Sequence, residues 1–159
     1  MSEDSVRLVL ADTLGEETIL LVEDEDVIRL MLVEILKAQG YTVLDAGRAA
    51  EALALAANHP KPIHLLVTDM SMPGMNGWEL AGTLRTTRHG IPVLFISGHN
   101  DHETTQWGKM EQPMEHLFKP FTMEAFLRRA RQMLDRDKKA AAREKSLDEA
   151  GAGATPVRS

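Results

Sequence analysis

The sequence predicts an α/β fold, a doubly wound parallel sheet of five strands with helices on both faces. Three observations predict it. Five short apolar runs alternate with segments of helical periodicity. Most of these runs are apolar at consecutive positions, as strands buried on both faces are, rather than alternating as half-exposed strands do. The chain has 159 residues, the length of one domain, and can bury a core without cross-links.

The elements follow in order. Thr18–Val22 (TILLV) reads as the first strand. Residues 26–39 read as a helix, with Ile28, Met31, Leu32, Ile35 and Leu36 at helical spacing and Gly40 at the place of a C-terminal cap. Tyr41–Ala46 is a strand, and Ala49–Asn58 an Ala/Leu helix stopped by Pro60 and Pro62. Ile63–Thr68 is the third strand, Met70–Gly77 a loop, and Trp78–Thr87 a helix before Gly90. Ile91–Ile96 is the fourth strand, 101–110 a weak polar helix, Glu115–Phe118 the fifth strand and Thr122–Leu134 the last helix.

Composition sets limits. No cysteine is present, which excludes disulfides, thiolate metal sites and thiol nucleophiles and fits a cytoplasmic setting. No apolar run reaches the roughly 18 residues of a membrane span, and the acidic N-terminus lacks the pattern of a secretory signal. The net charge of −6 argues against a nucleic-acid partner. Residues 1–17 carry net −4 and read as an N-terminal tail, in which Val6, Leu8, Val9 and Leu10 suffice for a short ordered segment. Residues 18–136 (net −3) hold the domain, and 137–159 (net +1) read as a charged C-terminal tail. In that tail 137–149 has helix formers but no apolar face, and the small residues from 150 onward predict disorder. A solvated tail is favoured over a homodimer contact because the apolar stripe ends near Leu134.

In a parallel sheet of this kind ligands bind beyond the carboxyl ends of the strands. There the sequence places Glu23-Asp24-Glu25-Asp26, Asp69, Ser97-Gly98 and Lys119-Pro120. Several carboxylates on one rim repel one another and raise each other's pKa unless a cation intervenes. Mg²⁺ takes oxygen ligands and suits such a set. A carboxylate beside it can attack phosphorus, with Ser97 and Lys119 as donors to the phosphoryl oxygens.

ILLVEDED, LLVTDMSMPGMNGWEL, VLFISGH and FKPF, in this order and spacing, resemble the receiver domain of two-component response regulators, the CheY-like family, over residues 18–136. The resemblance implies a flavodoxin-like sheet of order 2-1-3-4-5 and a stand-alone, cytoplasmic phosphoacceptor. It implies phosphorylation of Asp69 by a histidine kinase or histidine phosphotransfer protein with Mg²⁺, or Mn²⁺ as substitute. Glu23, Asp24, Asp69 and the Ser71 backbone carbonyl would hold the ion, and Lys119 would pair with the phosphoryl group. Ser97 and His116 take the switch positions, and Ser71 and His99 positions that tune loss of phosphate. The protein would not be an enzyme beyond its own phosphorylation and dephosphorylation, and its downstream partner would be another protein. Three departures from the family pattern stand out: Glu rather than Asp at position 23, His rather than an aromatic ring at 116, and a polar 101–110 segment with Trp107.

Two other readings remain open in the sequence. One is a receiver-like binding module that acts without phosphorylation, for which His116 is the argument. The other is an Asp-nucleophile phosphatase. Its second acid would stand two residues after the nucleophile, where this chain has Ser71. His99 and His102 have spacing compatible with zinc, His64 reads as a satisfied or edge histidine, and Met70, Met72 and Met75 read as loop packing.

Overall fold

The structure is a computed structural model of the chain, and it describes residues 2–98 and 111–153, the last four by backbone alone. Five strands, β1 (Thr18–Val22), β2 (Thr42–Ala46), β3 (Leu65–Asp69), β4 (Val93–Ser97) and β5 (Met114–Phe118), form one sheet of order β2-β1-β3-β4-β5, with every pair parallel. Helices are α1 (Glu3–Asp12), α2 (Asp26–Ala38), α3 (Ala49–Asn58), α4 (Gly77–Leu84) and α5 (Met123–Gly153). The doubly wound fold and its strand order match the expectation.

The pleat sorts the apolar runs into two cores. Leu20, Val22, Leu66, Val93 and Phe95 meet α3 and α4 on one face. Ile19, Leu21, Leu65, Val67, Leu94 and Ile96 meet α2 and α5 on the other. Consecutive apolar residues therefore serve opposite sides, which is why the central strands lack alternation.

Several boundaries differ from the sequence reading. Ile63 and Ile91 are buried but precede the ladder, which starts at Leu65 and Val93. Pro92 stands just before Val93 and has no N–H to donate, whereas ahead of Leu65 the His64 N–H already bonds Thr18 O at 2.8 Å. Helix α4 ends at Leu84 rather than Thr87. There Thr86 Oγ1 and Thr87 Oγ1 donate to the carbonyls of Thr83 and Leu84, the local bonding by which threonines compete with a helix. Gly40 does end α2. Its N–H bonds the Lys37 carbonyl while Tyr41 N–H bonds Leu36, and its φ of 103° suits glycine alone.

The expected tails are more ordered than composition suggests. Residues 3–12 form helix α1, capped by Ser2, with Val9 buried and α1 packed against α5. Polar contacts from distant residues hold the following turn. Gln39 Nε2 donates to Leu10 O and to Thr13 Oγ1, both at 2.7 Å, and Tyr41 OH donates to Thr13 O. The 137–149 stretch continues α5, with residues 138–149 all exposed. Helical backbone reaches Gly153 where disorder was expected from 150, and 154–159 lie outside the described residues.

Arg131 of α5 locks this end of the molecule, bonding both Glu17 carboxylate oxygens, the Leu14 carbonyl and Tyr41 OH. Burial alone would push Glu17 up, but the Arg131 bonds overcome it and hold the carboxyl at about 2. A depressed carboxylate pKa stabilises the fold above the unfolded value, near 4.5, and that contribution is lost as pH falls toward 2. Glu17→Gln is expected to cost about 2–3 kcal/mol at pH 7. It should also flatten the fall in stability between pH 4.5 and 2, read from urea midpoints against pH. An unchanged acid slope would refute the assignment.

Candidate functional site

The carboxyl ends of β1, β3, β4 and β5 form one rim, and backbone bonds between neighbouring strands fix each position on it. Glu23 N–H donates to Ala46 O at 3.1 Å, Met70 N–H to Ile96 O at 2.9 Å, and Lys119 N–H to Ser97 O at 2.8 Å. The Glu23 carbonyl accepts from Arg29 Nη1 at 2.8 Å, and that guanidinium also reaches Asp26 and Asp45. Arg29 lies inside the helix expected over 26–39, and nothing in the sequence marks it as this brace.

Three carboxylates converge. One oxygen each of Glu23, Asp24 and Asp69 lies within 4.8 Å of the others. Asp24 is exposed, whereas Glu23 is fully buried and Asp69 nearly so. Lys119 Nζ stands 3.2 Å from Asp69 Oδ2 and 3.9 Å from Glu23 Oε2. The other Asp69 oxygen, Oδ1, accepts the Ser71 N–H at 3.3 Å. Glu23 Oε1 accepts the Glu25 N–H, while Oε2 is buried without a hydrogen-bond partner among the described residues.

The electrostatics follow from burial and like charge. Burial, then the neighbouring Asp69 charge, raises Glu23 to about 7. Burial raises Asp69 as well, against the pull of Lys119. Burial works to lower Lys119, but Asp69 and Glu23 outweigh it and hold the ammonium above its ordinary range. The two buried acids of the cup therefore resist ionising beside one another, and Lys119 offsets this only in part.

Ser97 closes β4 with its hydroxyl fully buried and without a partner among the described residues. His116 pairs in register with Phe95 on β5, and burial pulls its imidazole below the usual range while Glu115 opposes. The Lys119–Pro120 peptide is cis. The structure thus brings together Glu23, Asp24, Asp69 and Lys119, with the Ser71 backbone on Asp69 and Ser97 on the adjoining strand end. His116 lies farther along the sheet, and His99, His102, Trp107 and the expected 101–110 helix fall outside the described residues. Asp69 and Ser97 end their strands rather than follow them.

The loop after β3 is short because its far end touches its start. Gly77 N–H donates to Met70 O at 3.0 Å, and a Cβ on Gly77 would overlap the Asp69 carbonyl oxygen. The Asn76–Glu79 capping box then starts α4. In the sequence Gly77 stands only as the last residue of the expected Met70–Gly77 loop.

Comparison with known proteins agrees with this geometry. A family model described as response regulator receiver domain matches residues 19–131. Over 125 residues the chain is 33% identical to the sensor kinase CckA of Brucella abortus, covering 79% of this chain and 13% of that kinase. It spans about half the length of the transcriptional regulators it also matches, which include the aerobic respiration control protein ArcA of Escherichia coli (48%). The receiver domain of the hybrid histidine kinase CckA superimposes with a TM-score of 0.64 at 34% identity, over 74% of this chain and 98% of that one. The chemotaxis protein CheY4 of Vibrio cholerae gives 0.67 at 29% identity, over 75% and 99%. With a family match across most of its length and a sheet of the same order, the chain belongs to the response regulator receiver domains of two-component signalling systems.

Proposed function

We propose that the chain is a phosphoacceptor signalling protein, modified on Asp69 by a histidine kinase or histidine phosphotransfer protein in a magnesium-dependent reaction. The observation that carries this reading is the Lys119 ammonium 3.2 Å from an Asp69 oxygen, inside a cup of three converging carboxylates. The donor set fits a hard divalent cation. All its ligand atoms are oxygens, and one buried Glu23 oxygen lacks a hydrogen-bond partner among the described residues. Glu23, Asp24, Asp69 and the Ser71 carbonyl would hold Mg²⁺, or Mn²⁺ in its place. When bound, the ion supplies positive charge against the carboxylates and the transferring phosphoryl oxygens.

The chain's own residues do the rest. An Asp69 oxygen forms a bond to phosphorus as the P–N bond of the donor's phosphoimidazole breaks, and the electron pair leaves on the ring nitrogen. Lys119 favours the ionised nucleophile in a buried setting and then pairs with phosphoryl oxygens. Ser97, whose hydroxyl at the adjoining strand end has no partner among the described residues, turns to donate to the same group. His116 follows on β5, and the changed face of β5 and α5 meets a downstream protein. Ser71 and His99 tune attack by water, which is the only turnover assigned. Residues 138–149 of α5 present Leu147 as their one large apolar side chain, so a solvated extension is preferred to a homodimer. No helix among the described residues is long and apolar enough to cross a membrane, and a cytoplasmic location fits a kinase donor.

Acetyl phosphate with Mg²⁺ is expected to add one phosphoryl group, mapped by mass spectrometry to Asp69, and EDTA is expected to prevent it. Failure to label with the metal present, or labelling at another residue, would overturn the reading.

A further inference from the structure

Among the described residues, four rings form a continuous stack across the face of the sheet that carries Ser97. Trp78, at the start of α4, lies on Phe95 of β4 with centroids 5.8 Å apart and planes 24° from parallel. Phe95 lies on His116 of β5 at 5.3 Å and 22°, and His116 on Phe118 at 6.2 Å and 16°. All three spacings fall within the attractive range for offset ring pairs. One end of the stack, Trp78, directly follows Gly77, whose N–H closes the Asp69 loop onto Met70. Phe118, the last ring of the stack among the described residues, is 41% exposed on an edge strand and directly precedes Lys119. Phe95 is fully buried and stands two residues before Ser97, on the same face of the strand.

A histidine packed between two near-parallel rings cannot turn without parting from both. We propose that Trp78, Phe95, His116 and Phe118 shift as one element, making Trp78 and Phe95 positioning residues that carry the state of the Asp69 loop to the exposed edge of β5. This rests on the reading of Asp69 as phosphoacceptor and deepens it, since His116 then takes an input besides Ser97. The second input runs through Trp78, on the α4 side. Close packing makes such a unit prefer discrete arrangements over gradual bending.

The test follows the His116 ring by NMR, its Cε1–H signal assigned by its loss in His116→Gln. Acetyl phosphate and Mg²⁺ are added while labelling of Asp69 is measured separately by mass. Phosphorylation is expected to shift the wild-type His116 signal. In Trp78→Leu, labelled to the same extent, the shift is expected to fall by at least half, and Trp78→Phe is expected to restore most of it. A full His116 shift in labelled Trp78→Leu would overturn the stack as a relay and leave the phosphoacceptor reading intact. Absence of labelling in the wild type would instead remove that reading. Should Trp78→Leu fail to fold, Phe95→Leu is the second variant, with the same expected loss and the same overturning result.

Discussion

Asp69→Asn is expected to abolish acquisition of the phosphoryl group, a loss of at least about two orders of magnitude, because an amide oxygen is no nucleophile at neutral pH. The substitution is otherwise mild. The asparagine side chain keeps the shape and still accepts the Ser71 N–H that Oδ1 accepts at 3.3 Å. Lys119 loses its nearer partner but keeps Glu23 at 3.9 Å. The buried acids of this cup resist ionisation, with Glu23 raised to about 7 by burial and by the Asp69 charge, and Asp69 itself raised by burial. A carboxylate whose folded pKa lies above its unfolded value opposes folding once pH exceeds the unfolded value. Removing the Asp69 charge is therefore expected to leave the protein, in EDTA at pH 7, as stable as the wild type or more stable by about 1 kcal/mol. That difference should shrink as pH is lowered toward the ordinary Asp value, near 3.8, because the cost of a raised carboxyl pKa accrues only above the unfolded value. Mass spectrometry after acetyl phosphate treatment reads the first effect and thermal melting in EDTA the second. A label persisting in Asp69→Asn would show that the acceptor lies elsewhere. A large loss of stability would show that Lys119 depends on Asp69 more than the repulsion with Glu23 costs.

How much of this was legible in the sequence depends on the range of the interactions. The strands could be read because burial on both faces demands apolar residues at every position, as in Leu65–Val67 and Val93–Ile96. The site could be read because a parallel sheet delivers the ends of all its strands to one rim, so Asp69 and Lys119 meet although 50 residues separate them. Contacts between elements were not legible. Helix α1 has a stripe of only Val6, Val9 and Leu10, too short to identify as docked, and its anchors Gln39, Tyr41 and Arg131 are remote in the chain. Trp78 carries no mark in its own segment that Phe95 lies beneath it. Glu23 reads as one more acid in an acidic run, and only the fold shows it to be fully buried with one oxygen unpartnered among the described residues.

Two glycines of α4 are expected to respond to alanine with opposite signs. Gly82 is exposed in the helix interior with nothing within 4 Å of an added Cβ, so Gly82→Ala is expected to stabilise by about 0.5–1 kcal/mol through helix propensity and a less flexible unfolded chain. Gly77 is buried at the first position of the same helix, and its Cβ would overlap the Asp69 carbonyl oxygen and press on Asp69 C and Met70 Cα at 3.1 Å. These are backbone atoms, which no rotamer change can withdraw. The Asp69 peptide is held in turn by β3, and Met70 N–H is bonded to Ile96 O. Relief must come either by lifting α4 or by displacing the end of β3, at a cost of about 2–4 kcal/mol. Displacement of β3 moves the Asp69 carboxylate relative to Lys119, which now stands 3.2 Å away, and misplacing a reacting group by about 1 Å slows a reaction on the order of 100-fold. Gly77→Ala is thus expected to lose stability and phosphoryl acquisition together, whereas Gly82→Ala gains stability with labelling unchanged. Urea unfolding of both variants, with initial labelling rates measured where each is fully folded, separates the outcomes. If Gly77→Ala labels at the wild-type rate, the close approach of α4 is a matter of packing alone and does not position Asp69.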